Sequence, residues 1–354
     1  MDRRTFLKMA GATGAMTGTA FAGLSASGIA RLGASRPARV IKDRKTFHNT
    51  FAAFKGVSGA IGKNVFLYQN LQKEIGEIIP HDQRTIIDVD GNVIREGEGD
   101  CVGQAGAMGA DILAATNIHL LRQRETFVAK ASVEMLYAGG RVEIGGLPDG
   151  LEGRGGSHGE WMAKFLKRYG VLHRIQYSDD RGNAIDLRGY TPERSRKYRD
   201  AGVPNWLEPI ARQHPIREIT NVQSGQEALD AVCAGQPVLL CSSYAFSDQR
   251  DSEGFAKPHL GMGWIRGMGW GRIRQWWHCM LLTGAILEGN RIGGTIQNSH
   301  WDWNDGPRPN GMPRGSFNAD LEYLDLMVRD WYDCYALSAY RGHAARRMRH
   351  KLYY

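Results

Sequence analysis

The stretch GEGDCVGQAGAMGADIL, Gly97 to Leu113, sets one cysteine after a glycine- and acid-rich turn and at the head of a segment dense in alanine and glycine. A thiol acts as a nucleophile through its thiolate, and a helix N-terminus or a neighbouring imidazolium lowers its pKa. Cys101 is a candidate nucleophile if a helix begins near Val102, and it then needs a base. Of eleven histidines, His278 stands apart because it lies in an apolar run, between Trp277 and Cys279. A lone buried histidine more often belongs to a core than to a reaction, so His278 needs an orienting partner of its own. WWHCMLLTGAILEGNRIGGTIQNS reads as two strands joined by EGN. A three-residue loop sets Leu287 opposite Arg291 and His278 opposite position 300. Asn298 is then a diagonal neighbour on the same face, within side-chain reach. Its amide oxygen can accept a hydrogen bond from one ring nitrogen and so decide which nitrogen faces the thiol, the task of a third triad member. His300, directly opposite on this count, is an alternative third member. One residue more or less in the loop reverses the parity.

The elements that must position these groups follow from periodicity and turn chemistry. An amphipathic helix is expected near Val65–Ile78, and from Cys101 to Arg124 a long helix with Ile112, Ala115, Ile118 and Leu120 roughly along one stripe. A second helix is expected at about Ser132–Tyr137. Ser157 and Glu160 form a capping box for a helix that stops at Gly170. A helix, a Gly235 stop and Pro237 precede a buried strand to Tyr244, and WYDCYALSAY is a last strand. Helices dominate the first half and strands the second, which suggests an α+β protein with a helical lobe and a sheet lobe.

In this order the pieces resemble the papain-like cysteine peptidases. GDCVGQAGA is similar to the start of that family's cysteine helix, and ASVEMLYAGG to its second helix. GRGGSHGEWMAKFLKRYGVLHRIQY resembles its Gly-Gly turn and short helix. AVCAGQPVLLC, HCMLLTGAI and IQNSHWDW resemble its G-P-V strand, its histidine strand and its N-S-W segment. The match is collinear over about residues 90–340. The resemblance implies a two-lobe fold, a helical lobe carrying Cys101 and an antiparallel, β-barrel-like lobe carrying His278 and Asn298. Cys101 would attack a peptide carbonyl, His278 would shuttle the proton and Asn298 would orient it. Gly155 and Gly156 would meet the substrate backbone, and Trp301 would shield the histidine–asparagine bond. The family signature has a cysteine three residues before the nucleophile and an aromatic after it, where this chain has Glu98 and Val102. The usual oxyanion glutamine position holds Arg95; Gln104 is on the wrong side and Gln83 requires an insertion. Arg95 or a backbone amide could substitute, since one such donor is worth about 10²–10³ in rate.

The ends carry different information. Arg3 and Arg4 precede an uncharged, Gly/Ala/Ser/Thr-rich stretch from Met9 to Ala30, which resembles a twin-arginine (Tat) export signal, with Asp2 where a Ser or Thr is usual. Export in the folded state by the Tat translocase to the periplasm or outside follows, with no stable membrane span in the mature form. The expected division is 1–35 signal, 36–90 linker or pro-like segment, 91–340 papain-like domain and 341–354 basic tail. The net charge of +8 comes from those ends, since residues 1–46 hold nine Lys/Arg against two Asp and residues 341–354 hold five and no acid. The body is acidic on balance, so no nucleic-acid partner is implied. No Cys/His spacing fits a zinc site, and no metal or cofactor is expected. Five cysteines in an oxidising compartment leave at least one thiol unpaired; Cys101 is the candidate, and the pairing of Cys233, Cys241, Cys279 and Cys334 is open. Three functions fit: a papain-like hydrolase of peptide or peptidoglycan-peptide bonds, a papain-fold protein that has lost activity and binds or builds in the envelope or a virion-like assembly, and an NlpC/P60-type amidase. The last also uses D-C-x-G, but its histidine follows much sooner than His278 follows Cys101.

Overall fold

The computed structural model describes residues 64–79, 86–87, 93–95, 98–121, 126–147, 155–258, 262–265, 269–272, 275–287, 291–300 and 304–340. The signal, the tail, Gln83 and Trp301 lie outside them. Helix α1 spans Tyr68–Ile75, α2 Cys101–Leu121, α3 Val133–Gly139, α4 Gly159–Arg168, α5 Pro192–Arg199, α6 Glu208–Ala211, α7 Gly225–Cys233 and α8 Leu321–Trp331. The main sheet is built from β1 Val65–Phe66, β2 Ile216–Asn221, β3 Val238–Tyr244, β4 Gln275–Ile286, β5 Gly293–Gln297, β6 Ser316–Asp320 and β7 Asp333–Tyr340. Its order is β6-β5-β4-β3-β7-β2, with β1 added to β4, and each pairing is antiparallel. The architecture is α+β, with helices leading and strands following; among the described residues the sheet stays open and does not close into a barrel.

α2 is the pivot. It is buried on almost every face from Val102 to Asn117, which a helix tolerates when small residues let its neighbours come close. A Cβ on Gly106 would meet the Met162 sulfur at 2.6 Å, and one on Gly109 a Leu337 methyl at 2.7 Å. The glycines that weaken α2 as an isolated helix are thus the ones that let α4 and β7 dock on it. α1 lies along α2, and buried Leu67, Tyr68 and Leu71 belong to the common core. The backbone of Leu67 donates to the Thr283 carbonyl of β4 at 2.8 Å, and Tyr68 and Gln69 donate to the Asn310 carbonyl.

α4 starts differently from the expectation. Its N-cap is His158, not Ser157, and neither side chain caps it. The Ser157 hydroxyl is buried without a hydrogen-bond partner, and Glu160 pairs with Lys164. The helix N-terminus is satisfied instead by Asp333, whose carboxylate accepts from the backbone of Gly159 and Glu160, both at 2.8 Å. The box fails because the helix begins one residue later than the Ser-x-x-Glu spacing requires, and a carboxylate from the start of β7 fills the place.

Candidate active site

β4 and β5 fix the histidine. Near their turn the register pairs Ile286 with Gly293 and Ala285 with Gly294, one residue off the count expected from EGN. A bulge at Thr283 then takes up one residue, so that Leu282 pairs with Ile296 and Leu281 with Gln297. Beyond the bulge the register is the one the three-residue loop would have produced. His278 and Asn298 therefore share a face, and His278 Nε2 lies 2.8 Å from Asn298 Oδ1. The backbone N–H of His300 also donates to Asn298 Oδ1, at 3.2 Å. A backbone N–H needs an acceptor, so the atom at that corner is the amide oxygen, and Nε2 of His278 carries the proton it donates. The basic nitrogen of the ring is then Nδ1. The His300 ring lies against that of His278, centroids 4.6 Å apart and tilted by 31°. Both His278 and Asn298 are buried, and burial pushes the imidazole down to about 4 against the pull of the asparagine.

Cys101 is the first residue of α2. The backbone of Cys279, the residue after His278, and that of Val102 lie near enough to its sulfur to favour the thiolate. Burial, with the neighbouring Cys279 and Asp100 adding to it, pushes the thiol up to about 12, and the two backbone donors pull the other way. Thiol and imidazole are thus both held neutral at rest, on adjoining elements.

The turn before Cys101 is anchored by acids whose role the sequence did not disclose. Asp100 is fully buried and accepts from Tyr190 Oη and Ser195 Oγ, both at 2.8 Å, and from Gln104 Nε2 at 3.2 Å. Burial raises its carboxyl to about 7 against those bonds. Glu98 accepts from Tyr137 Oη at 3.1 Å and pairs with Arg199 at 3.3 Å. Gln104 is therefore committed to Asp100; Arg95 ends a short strand, Val93–Arg95. Gly155 and Gly156 abut the same turn. Gly156 donates to the Gly99 carbonyl at 2.9 Å, and a Cβ on Gly99 would stand 2.8 Å from the Gly156 nitrogen. Gly156 has φ +110°, which a side chain would strain. The two acids framing Gly99 were the available signal, since charged residues between glycines just before a buried helix must find partners inside.

Among the described residues no group of three His, Cys, Asp or Glu is placed to hold a metal ion, and no helix is long and apolar enough to cross a membrane. The described residues thus hold a thiol at the start of α2 and an imidazole–amide pair formed by β4 and the residue after β5, in an α+β protein. Residues 1–20 match the family model for the TAT (twin-arginine translocation) pathway signal sequence. The chain carries an export signal that directs it across the membrane, to the periplasm or beyond. Among solved structures it is similar to xylellain, a cysteine protease from Xylella fastidiosa, with 15% identity, 86% of this chain and 95% of that chain covered, and a TM-score of 0.47. It is similar at 12% identity to a structure from work on the mite allergens Blo t 1 and Der p 1, covering 89% of this chain and 78% of that one, TM-score 0.40. It is similar at 13% to the Amb a 11 cysteine protease, a major ragweed pollen allergen, in its proform, covering 90% and 78%, TM-score 0.40. The sequence matches no curated protein.

Proposed function

We propose that the chain is an exported papain-like cysteine hydrolase that cleaves peptide or peptidoglycan-peptide bonds with Cys101, His278 and Asn298. The observation that carries this reading is the 2.8 Å contact between His278 Nε2 and Asn298 Oδ1, with His278 on a strand that packs against the helix begun by Cys101. Asn298 holds the Nε2–H tautomer, so Nδ1 accepts the thiol proton as sulfur attacks the carbonyl and later returns it to the leaving amine. Backbone N–H groups at the start of α2 would serve as oxyanion donors in place of the absent glutamine. Gly155 and Gly156, against the turn before Cys101, would border the substrate. The catalytic domain on this reading takes in residues 64–79, since Leu67, Tyr68, Leu71 and Ile78 share the core.

A second reading has its own support. The usual oxyanion glutamine position holds Arg95, and burial holds thiol and imidazole neutral, which suits a papain-fold protein that binds without cutting. Alkylation separates the two. Iodoacetamide at neutral pH is expected to label Cys101 ahead of the other cysteines, and His278→Ala is expected to abolish that labelling while the protein stays folded. Equal labelling of both proteins would select the inactive reading.

A further inference from the structure

A pair of sulfurs lies directly behind the histidine. Cys241 of β3 and Cys279 of β4 are direct partners in the antiparallel register, next to the pair Ser242 and His278. Their sulfurs are 2.6 Å apart and both residues are buried. All five cysteines are thiols in the structure. Directly opposed residues of antiparallel strands have Cα atoms about 4.5–5.5 Å apart, within the span a disulfide bridges. The alternatives are poorer. Cys334 is opposite Leu240, so its side chain projects from the other face of the sheet than that of Cys241. Cys233 ends α7, and Cys101 meets the backbone of Cys279. The helix α4 also leaves room for this pair, since a Cβ on Gly159 would stand 2.9 Å from the Cys241 sulfur.

We propose that Cys241 and Cys279 are joined by a disulfide in the exported protein, as a covalent strut under His278. The export signal takes the chain to a compartment where disulfides persist. In the reaction a small-molecule or protein disulfide is the oxidant. Its S–S bond breaks, the Cys241–Cys279 bond forms, and the two protons and two electrons of the pair leave on the oxidant as two thiols. The strut ties β3 to β4 one residue from the proposed base, and it leaves Cys101 beside a disulfide instead of a second thiol.

The test is peptide mapping of the full chain recovered from the cell envelope, alkylated in denaturant without reductant. A cross-linked peptide containing Cys241 and Cys279 is expected, with alkyl groups on Cys101, Cys233 and Cys334 alone. In Cys241→Ser, Cys279 is expected to become alkylated and the cross-linked peptide to vanish. The same mapping on Cys101→Ser should return the same link, which makes the outcome independent of any hydrolytic activity. Alkylation of all five cysteines, or a link between any other two, overturns the proposal.

Discussion

At the scale of single residues the decisive group is the side chain of Asn298. Its oxygen receives both the imidazole Nε2–H and the backbone N–H of His300, so it sets the tautomer and the ring plane together. Asn298→Ala is expected to lower kcat by about 10²–10⁴-fold, the range of a general acid–base contribution, its upper end being the loss when a triad's orienting member is exchanged. His300→Ala keeps the backbone N–H that Asn298 accepts, so its loss should stay below about tenfold. Steady-state hydrolysis of a peptide substrate by the two variants compares them. Equal losses would move the orienting role to His300.

At the scale of elements, the site depends on where helices and strands are pinned by distant residues. Asp333, at the start of β7, closes the N-terminus of α4. Asp333→Ala should cost about 1–3 kcal/mol in denaturant unfolding, since it leaves two buried donors unpaired. Ser157→Ala should change stability by no more than about 0.5 kcal/mol. The reverse order would restore the capping box to Ser157. This pair shows what could be read in the sequence. The cysteine at a helix start, the buried strand to Tyr244 and the histidine strand were legible, because glycine stops, apolar runs and β-branched stretches are local signals. The partnership of His278 with Asn298 was reached by a loop count one residue off, and the Thr283 bulge takes up that residue; a bulge depends on what the neighbouring strand demands and leaves no local mark. The Asp333 cap, the burial of Asp100 and the pairing of Cys241 with Cys279 join residues far apart in the chain, so periodicity could not find them.

At the scale of the whole molecule, buried acids set the response to pH. Burial raises Asp100, Asp111 and Asp230 to about 7 and Asp333 to about 6. Folding therefore takes up protons between the ordinary carboxylate range and about pH 7, and this stability is fully present at low pH and lost as pH rises through those values. His278, held down to about 4, acts the other way, since its share is lost as pH falls from about 6.5 towards 4. Glu143, also raised to about 7, joins the four aspartates, and His158, lowered by burial, joins His278; the five carboxyls outnumber the two histidines, so Tm should be higher at pH 5 than at pH 8 in thermal unfolding at constant ionic strength. A lower Tm at pH 5 would mean that these acids are ionised in the folded protein. The exported chain thus presents a thiol, an imidazole and an amide on a frame whose buried charges are largely neutralised. The most direct test of their joint action is intact-protein mass spectrometry after rapid acid quench of the protein mixed with an activated acyl-peptide ester. An acyl adduct, mapped to a thioester on Cys101, is expected in the unaltered protein and absent from Cys101→Ser and His278→Ala. An adduct that persists in His278→Ala, or no adduct on Cys101 in the unaltered protein, would contradict their joint action.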